Sequence, residues 1–500
     1  MDIFNIIKQY IHTYFFGFAK IFAMFILVFI LGKSLAPEEF AVYGLLSSFI
    51  VWGTFFLGLG FNNYSMRYIP GREEAERLKI FKTLIITELI FAFSIIFMFA
   101  ILNFGEIFFS KFNLSFSWRY IRIGTIILFF NLIMRECMRY FTSIKKIEVA
   151  NILNFTANSL WIFFLLGIFL AGKNIVLETL IIVWILGEIL AVFYAFYKIE
   201  KSFLFVKLDH GILKKAIIFS TPLFISSLCV QSNFYLDRYL LGFFTNSFTV
   251  GYYSLASSIT IVGIFFIGEI VIDVSRPYMI EAHNENNLLR RNLILNKVFK
   301  YSILVTMPFI LFISIFPRDT ILFIAKEEYI SASFLLYFLV SVPLFANLSY
   351  VLQSVLFLNN KTTKIFILNF SALILNLFLN ILLIPKYGAA GSAFAAMISF
   401  IILFISTYKK IDKNEKIINW SEIRIIKILI LFLTLGMILF FVKNNLPIDF
   451  AFSFLGKIKF VFLAIIYFLL YSIGLFIFKV LDNKELSFLN SLKTYFQKKY

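Results

Sequence analysis

The sequence predicts an all-α integral membrane protein of about fourteen transmembrane helices, built as two parallel six-helix repeats with two further helices at the C-terminus. Three observations lead there. The 500 residues are 61% hydrophobic and only 15% charged, with a mean hydropathy of +0.91, a composition that belongs to membrane proteins. The segment 31–58, LGKSLAPEEFAVYGLLSSFIVWGTFFLG, returns without a gap at 241–268 as LGFFTNSFTVGYYSLASSITIVGIFFIG, with 10 of 28 positions identical. A shorter echo, ILNF at 152–155, recurs at 367–370. Tandem copies of an apolar unit are a signature of repeat-built membrane folds. Finally, the Lys and Arg residues concentrate in loops that fall on one side of the predicted spans.

A bilayer-crossing helix needs about 20 mainly apolar residues. The first half offers 14–33, 40–61, 80–102, 118–140, 149–171 and 176–197. The opening run is too long for a signal-peptide core and lacks a small-x-small cleavage site, so it reads as a retained helix. The second half offers 215–242, 248–275, 299–324, 331–357, 365–384 and 388–408, followed by 424–442 and 457–479. Pro222, Pro308 and Pro343 fall inside spans and should kink them, which membrane helices tolerate where neighbours satisfy the freed carbonyls. The basic loops 67–82, 198–215, 276–300 and 409–427 place both termini in the cytoplasm by the positive-inside rule. Six crossings bring the chain back to its starting side, so the two halves share one orientation. The expected organisation is an N-lobe at 1–197, a linker at 198–215, a C-lobe at 216–408, and C-terminal helices with a basic tail at 409–500. The linker is basic with apolar breaks at Phe203, Leu204, Phe205 and Val206, the pattern of a segment lying on an anionic leaflet.

The same reading excludes several classes. No loop exceeds about 30 residues, leaving no room for a soluble catalytic domain. No phosphate-binding G-x-x-x-x-G-K-[ST] loop, H-E-x-x-H or D-x-D occurs, so no enzyme and no cofactor is expected. Cys137 and Cys229 lie in apolar runs without metal or redox spacing. The net charge of +18 is assigned to loops that set topology rather than to nucleic-acid binding.

Some segments are more specific. LAPEEFAVYG from Leu35, DRYLLG from Asp237 followed by GYYSLA from Gly251, and NILLIP from Asn380 with Tyr387, Gly388, Gly391 and Ala393 resemble corresponding regions of the polysaccharide-lipid (O-antigen type) flippases. Those belong to the multidrug/oligosaccharidyl-lipid/polysaccharide exporter superfamily. The order of these motifs, together with the 6+6+2 plan, extends the resemblance over essentially the whole chain. Ala36 and Ala41 stand where that family usually has glycine, and Ser392 where it has a small apolar residue. The resemblance implies movement of an undecaprenyl-diphosphate-linked oligosaccharide from the inner to the outer leaflet of a bacterial inner (plasma) membrane. It implies alternating access, coupling to Na⁺ or H⁺, membrane lipid and polysaccharide polymerases as partners, and action as a monomer. The rival within the superfamily is a multidrug cation antiporter, from which the two extra spans and the intramembrane cations distinguish the chain. A membrane polymerase would need a large outer loop. A partner-binding scaffold remains open.

A diphosphate crossing about 30 Å of hydrocarbon needs a wet cationic passage, and charged residues within spans are functional candidates by default. The cationic candidates for substrate binding are Lys20, Arg67, Arg122, Arg135, Arg139 and Arg276, arginine being suited by its two-pronged fork. Arg67, Arg139 and Arg276 lie near span ends and could instead reach head groups. At about 100° per residue, Arg122 and Arg135 are about 140° apart around one helix; Arg135 is the favoured cavity residue, with Glu136 and Glu88 as its possible partners. The candidates for ion coupling or gating are Glu88, Glu188, Asp237, Arg238, Glu269 and Asp273. Glu269, Asp273 and Arg276 are spaced i, i+4, i+7 on one helix face, suited equally to ion coupling and to structural pairing. Asp237 and Arg238 suit an outer gate or a helix-packing contact. Ser47, Ser48, Asn233, Ser257, Asn369 and Asn376 are expected mainly at helix–helix contacts.

Overall fold

The computed structural model describes residues 3–101, 118–411, 418–445, 454–482 and Glu485. Among these residues there is no strand. The N-lobe comprises α1 (Ile3–Ser34), α2 (Pro37–Leu57), α3 (Phe61–Tyr68), α4 (Glu74–Ile101), α5 (Trp118–Ser143), α6 (Ile147–Leu170) and α7 (Leu177–Lys198). The C-lobe comprises α8 (His210–Phe244), α9 (Ser247–Asn284), α10 (Leu288–Ile315), α11 (Pro317–Ile324), α12 (Ala332–Leu358) and α13 (Thr362–Lys410). Two helices follow, α14 (Ile425–Asn445) and α15 (Phe454–Ile477). The loop at 103–117 and the basic tail beyond Glu485 lie outside the described residues.

Among the described residues, twelve helices are long and apolar enough to cross a bilayer. The fourteen expected spans exceed that number by two, and each difference has a physical cause. Helix α5 is 26 residues long but is interrupted by Arg119, Arg122, Arg135, Glu136 and Arg139. Helix α13 runs for 49 residues with a non-helical Gly388 inside it, at φ 55° and ψ −135°. At 1.5 Å per residue, Leu383 and Gly391 on a straight helix would stand about 12 Å apart. Instead a Cβ on Gly391 would lie 2.5 Å from the Leu383 carbonyl oxygen. The chain therefore folds back at Gly388, where only glycine accepts the backbone angles without strain.

The repeat is built into the junction between the lobes. Helices α2 and α9 carry its two copies and cross there. A Cβ on Gly44 would collide with the Ser254 side chain, and residue 254 is the repeat counterpart of residue 44. Equivalent positions thus meet each other, as a two-fold axis along the membrane normal requires. The absent Cβ atoms at Gly44 and at Gly251, which abuts the Pro37 backbone, let the helices approach closely. Polar side chains tie further helices to this junction. Trp52 donates to Ser232 Oγ at 3.1 Å, and the Tyr239 hydroxyl to the Leu45 carbonyl at 3.1 Å.

The C-terminal pair packs on α10 through its proline. Pro308 has no N–H, which frees the Leu304 carbonyl four residues earlier. The Tyr471 hydroxyl of α15 donates to that carbonyl at 2.6 Å, and Tyr467 donates to the Pro308 carbonyl at 3.0 Å. Lys443 of α14 caps the end of α10 by donating to the Ile315 carbonyl at 2.6 Å. Large apolar side chains such as Phe193, Phe441 and Ile477 are more than 65% exposed, the outward-facing apolar surface of a helix bundle that meets lipid.

Candidate functional site

Two cavities lie between the lobes, one above the other. Three helices set their order. On α1 and α6 the chain runs from the side of the basic loops toward the far side; on α9 it returns. The lower cavity, about 190 Å³, is lined by Lys20 of α1, Asn151 and Asn154 of α6, and Glu269 and Asp273 of α9. The upper cavity, about 160 Å³, takes later residues of α1 and α6 and earlier ones of α9: Val28, Asn158, Trp161 and Ser258. Phe266 lines both and carries the Lys20 ammonium 5.4 Å from its ring centre.

Local helix geometry opens the upper cavity. Thr156–Leu160 on α6 and Ile261–Phe265 on α9 are single π-helical turns. Such bulges insert a residue into the hydrogen-bond ladder, turn the side chains that follow, and cluster at functional sites. Here one bulge from each lobe borders the same cavity.

The charged candidates separate into those the fold gathers and those it does not. Lys20, Glu269 and Asp273 share the lower cavity. Arg276 pairs with Asp273 at 3.1 Å, with both side chains more than half exposed. The charges of Asp273 and Arg276 act on Arg139 across the gap from the N-lobe. Arg135, one turn further along α5, lies over the Phe55 ring at 4.0 Å and interacts with Glu88 and Glu136. The carboxyls of Glu88 and Glu136 contact each other and are almost fully buried. No donor among the described residues reaches either Glu88 oxygen. Charged side chains thus stand inside the N-lobe at Glu88, Arg135 and Glu136, at Arg139 on α5, and at Glu269, Asp273 and Arg276 on α9.

The remaining candidates sit elsewhere. Arg122 is exposed on α5, away from both cavities. Arg67 is exposed on α3 and stacks against Tyr68 and Phe219 at 6.0 and 5.3 Å. Glu188, fully buried on α7, accepts a hydrogen bond from Asn131 at 2.8 Å. Asp237 is a packing hub: it accepts from Tyr253 at 2.7 Å and from Asn380 at 3.0 Å, joining α8, α9 and α13. Arg238 crosses between lobes, donating to Ser48 Oγ at 2.7 Å, the Gly44 carbonyl at 3.3 Å and Ser257 Oγ at 3.4 Å. Asn233, Gln353 and Asn369 form a further ladder between α8, α12 and α13. In-span serines and asparagines thus hold helices together here.

The far side is closed by reciprocal contacts between helix ends. Lys33 donates to the Leu322 and Ala325 carbonyls at 2.8 and 2.6 Å. In return the Lys326 backbone N–H donates to the Gly32 carbonyl at 3.0 Å, and its ammonium to the Ser34 carbonyl at 2.7 Å. Tyr329 donates to the Leu35 carbonyl at 3.2 Å. Below this seal the two cavities occupy the inter-lobe space.

Sequence reasoning missed the aromatic wall of the upper cavity: Tyr43, Trp161, Trp184 and Tyr235. One signal for it exists in the chain. Asn151, Asn154 and Asn158 recur at helical spacing, an amide stripe on an otherwise apolar helix, and all three line a cavity.

A model of the family described as polysaccharide biosynthesis protein matches residues 7–283, more than half of the chain. The chain belongs to this family. Within known proteins, this member of the polysaccharide biosynthesis family is 24% identical over 393 residues to the uncharacterized membrane protein MJ1068 of Methanocaldococcus jannaschii, covering 73% of this chain and 75% of that one. Its fold is similar to that of the lipid II flippase MurJ in an inward closed conformation, with a TM-score of 0.71 at 19% identity over 94% of this chain and 98% of the other. It is also similar to an inward-facing multidrug resistance MATE family transporter of the MOP superfamily, with a TM-score of 0.63 at 14% identity over 78% and 94% of the two chains. The all-α architecture with two lobes is the one the sequence predicts.

Proposed function

We propose that the protein moves a polyprenyl-diphosphate-linked oligosaccharide from the cytoplasmic to the outer leaflet by alternating access, with both termini in the cytoplasm of a bacterial cell. The observation that carries this reading is Lys20 in the lining of the lower inter-lobe cavity, with Arg276 paired to the cavity residue Asp273 at 3.1 Å and Arg139 and Arg135 on α5 beyond the lining. Lys20 lies inside a membrane-spanning helix, where a charge is costly unless used. A diphosphate in the lower cavity would compete with Asp273 for Arg276 and with Glu269 for Lys20. Its isoprenoid tail would stay in the bilayer beside the lobes. Family membership supports the glycan part of the cargo, and a membrane polymerase is the natural recipient of the flipped unit.

The reading includes ion coupling. Two carboxyls in contact inside a low-dielectric lobe repel when both are ionised. Glu88 and Glu136 therefore form the place where a proton or Na⁺ would enter, and Arg135 would pass that change to the cavity. Export of a cationic drug is the second reading, favoured by Glu269 and Asp273 in the lower cavity. The experiment that separates the two is transport into proteoliposomes, comparing a fluorescent undecaprenyl-diphosphate oligosaccharide with ethidium under imposed H⁺ and Na⁺ gradients. Protein-dependent movement of the lipid alone is expected. Movement of ethidium alone would replace this proposal with the antiporter.

A further inference from the structure

The upper cavity is unused by the account above, and its lining is unlike that of the lower one. No carboxylate lines it, and its walls are aromatic. Trp161 and Trp184 stack at 5.4 Å with planes 12° apart. The Trp161 indole is held in place, its Nε1 donating to the Ala157 carbonyl at 2.9 Å. Tyr43 packs on Trp184 at 6.5 Å. Around this apolar wall stand Asn158, Ser258 and Arg238. Arg238 is 3% exposed, and its Nε has no acceptor among the described residues. A buried, unmatched donor facing a cavity is costly unless a ligand completes it.

Size and chemistry narrow the occupant. At about 160 Å³ the space equals about five waters, well below the roughly 300–1,000 Å³ of sites for drug-sized ligands. The buried arginine disfavours a cation. A pyranose ring presents C–H groups on a face and hydroxyls at its rim, matching an indole wall with amide, hydroxyl and guanidinium groups around it. We propose that the upper cavity is a sugar subsite holding one pyranose ring of the cargo glycan ahead of the diphosphate, with Trp184 and Trp161 as its stacking wall and Asn158, Ser258 and Arg238 as its polar rim. This inference rests on the flippase reading. It adds a register: the glycan enters first and lies nearest the sealed far side, the diphosphate follows at Lys20, and Phe266 separates the two. Asn158 and Trp161 from one lobe and Ser258 and Ile261 from the other line the same cavity, so parting of the lobes would take the subsite apart and release the sugar.

The test compares two probes bound to the purified full chain in detergent, read by native mass spectrometry: undecaprenyl diphosphate, and the same lipid bearing one N-acetylglucosamine. The native protein should bind the sugar-bearing lipid at least tenfold tighter. Asn158→Leu and Trp184→Leu should bring that ratio near one while leaving affinity for the bare lipid unchanged, and Trp184→Phe should keep most of the preference. Retained bare-lipid binding certifies the fold of each variant; should Trp184→Leu fail to fold, Asn158→Leu decides. Equal affinity of the native protein for both probes overturns the subsite and leaves the flippase reading standing, as does a preference that survives both leucine substitutions. Binding of neither probe overturns both.

Discussion

Removing the Lys33 side chain should unseal the far side. Lys33 makes two short bonds to the carbonyls at the end of α11, while the Lys326 ammonium makes one to Ser34. The net contribution of a hydrogen bond is about 0.5–1.5 kcal/mol, and about 1.5–3 kcal/mol where one group is charged. In an open state water replaces these partners, so we take about 1 kcal/mol per bond. Lys33→Met then costs the closed state about 2 kcal/mol, a shift of about 30-fold toward opening, and Lys326→Met about 1 kcal/mol, or about fivefold. The Lys326 backbone bond to Gly32 survives in both variants. Spin labels at the exposed positions Glu38 and Glu328 read the separation across the seal by pulsed electron resonance. Growth of a long-distance population, larger for Lys33→Met than for Lys326→Met, is expected. An unchanged distribution for Lys33→Met, or the reverse ranking, would refute the reasoning that these end-to-end bonds hold the lobes together.

Three other outcomes follow from particular residues. Gly388→Ala should destabilise the fold by about 1–3 kcal/mol, seen as a lower thermal midpoint, although a Cβ there meets nothing within 4 Å; an unchanged midpoint would mean the reversal does not need these angles. Arg122→Ala should leave lipid transport near native, since Arg122 lies away from both cavities, and a large loss would place it on the cargo path. The linker should loosen in acid. Burial alone would push the Glu200 carboxyl up, but its hydrogen bonds from the backbone, Tyr140 and Lys146 hold it below the usual carboxylate range. Lys79, then the Ile212 and Gly211 N–H groups, hold Asp209 down likewise. A depressed folded-state value means this stabilisation is complete above the unfolded values near about 4 and is lost as pH falls through the folded ones. Hydrogen exchange over 199–209 should therefore stay protected at pH 6 and rise below pH 4; protection that falls on going from pH 4 to pH 6 would contradict it.

How much of this was legible beforehand varied with the range of the interaction. Spans and repeat are local or periodic signals, and hydrophobic runs and the 31–58 echo announced them; the reversal at Gly388 falls at the boundary between the expected spans 365–384 and 388–408. The spacing of Glu269, Asp273 and Arg276 places them on one face, and the roughly 140° between Arg122 and Arg135 points those two to different sides of α5. The aromatic wall was hidden because Trp161 and Trp184 sit in apolar helices where an indole facing lipid and one facing a cavity look alike. The π-helical turn at Thr156–Leu160 contains neither proline nor glycine, so nothing in the chain marks the change of register that brings Trp161 inward. Glu188 accepts from Asn131 of a neighbouring helix, a partner brought by packing that residue spacing does not encode.

The most direct test of the central claim is leaflet exchange of a fluorescent undecaprenyl-diphosphate oligosaccharide in proteoliposomes, read with a membrane-impermeant quencher. The native protein and Arg122→Ala should support exchange, and the double variant Lys20→Ala, Arg135→Ala should lose it while reconstituting equally well. Exchange that persists in the double variant would contradict a cationic inter-lobe passage, and no exchange by the native protein under either ion gradient would contradict the flippase itself.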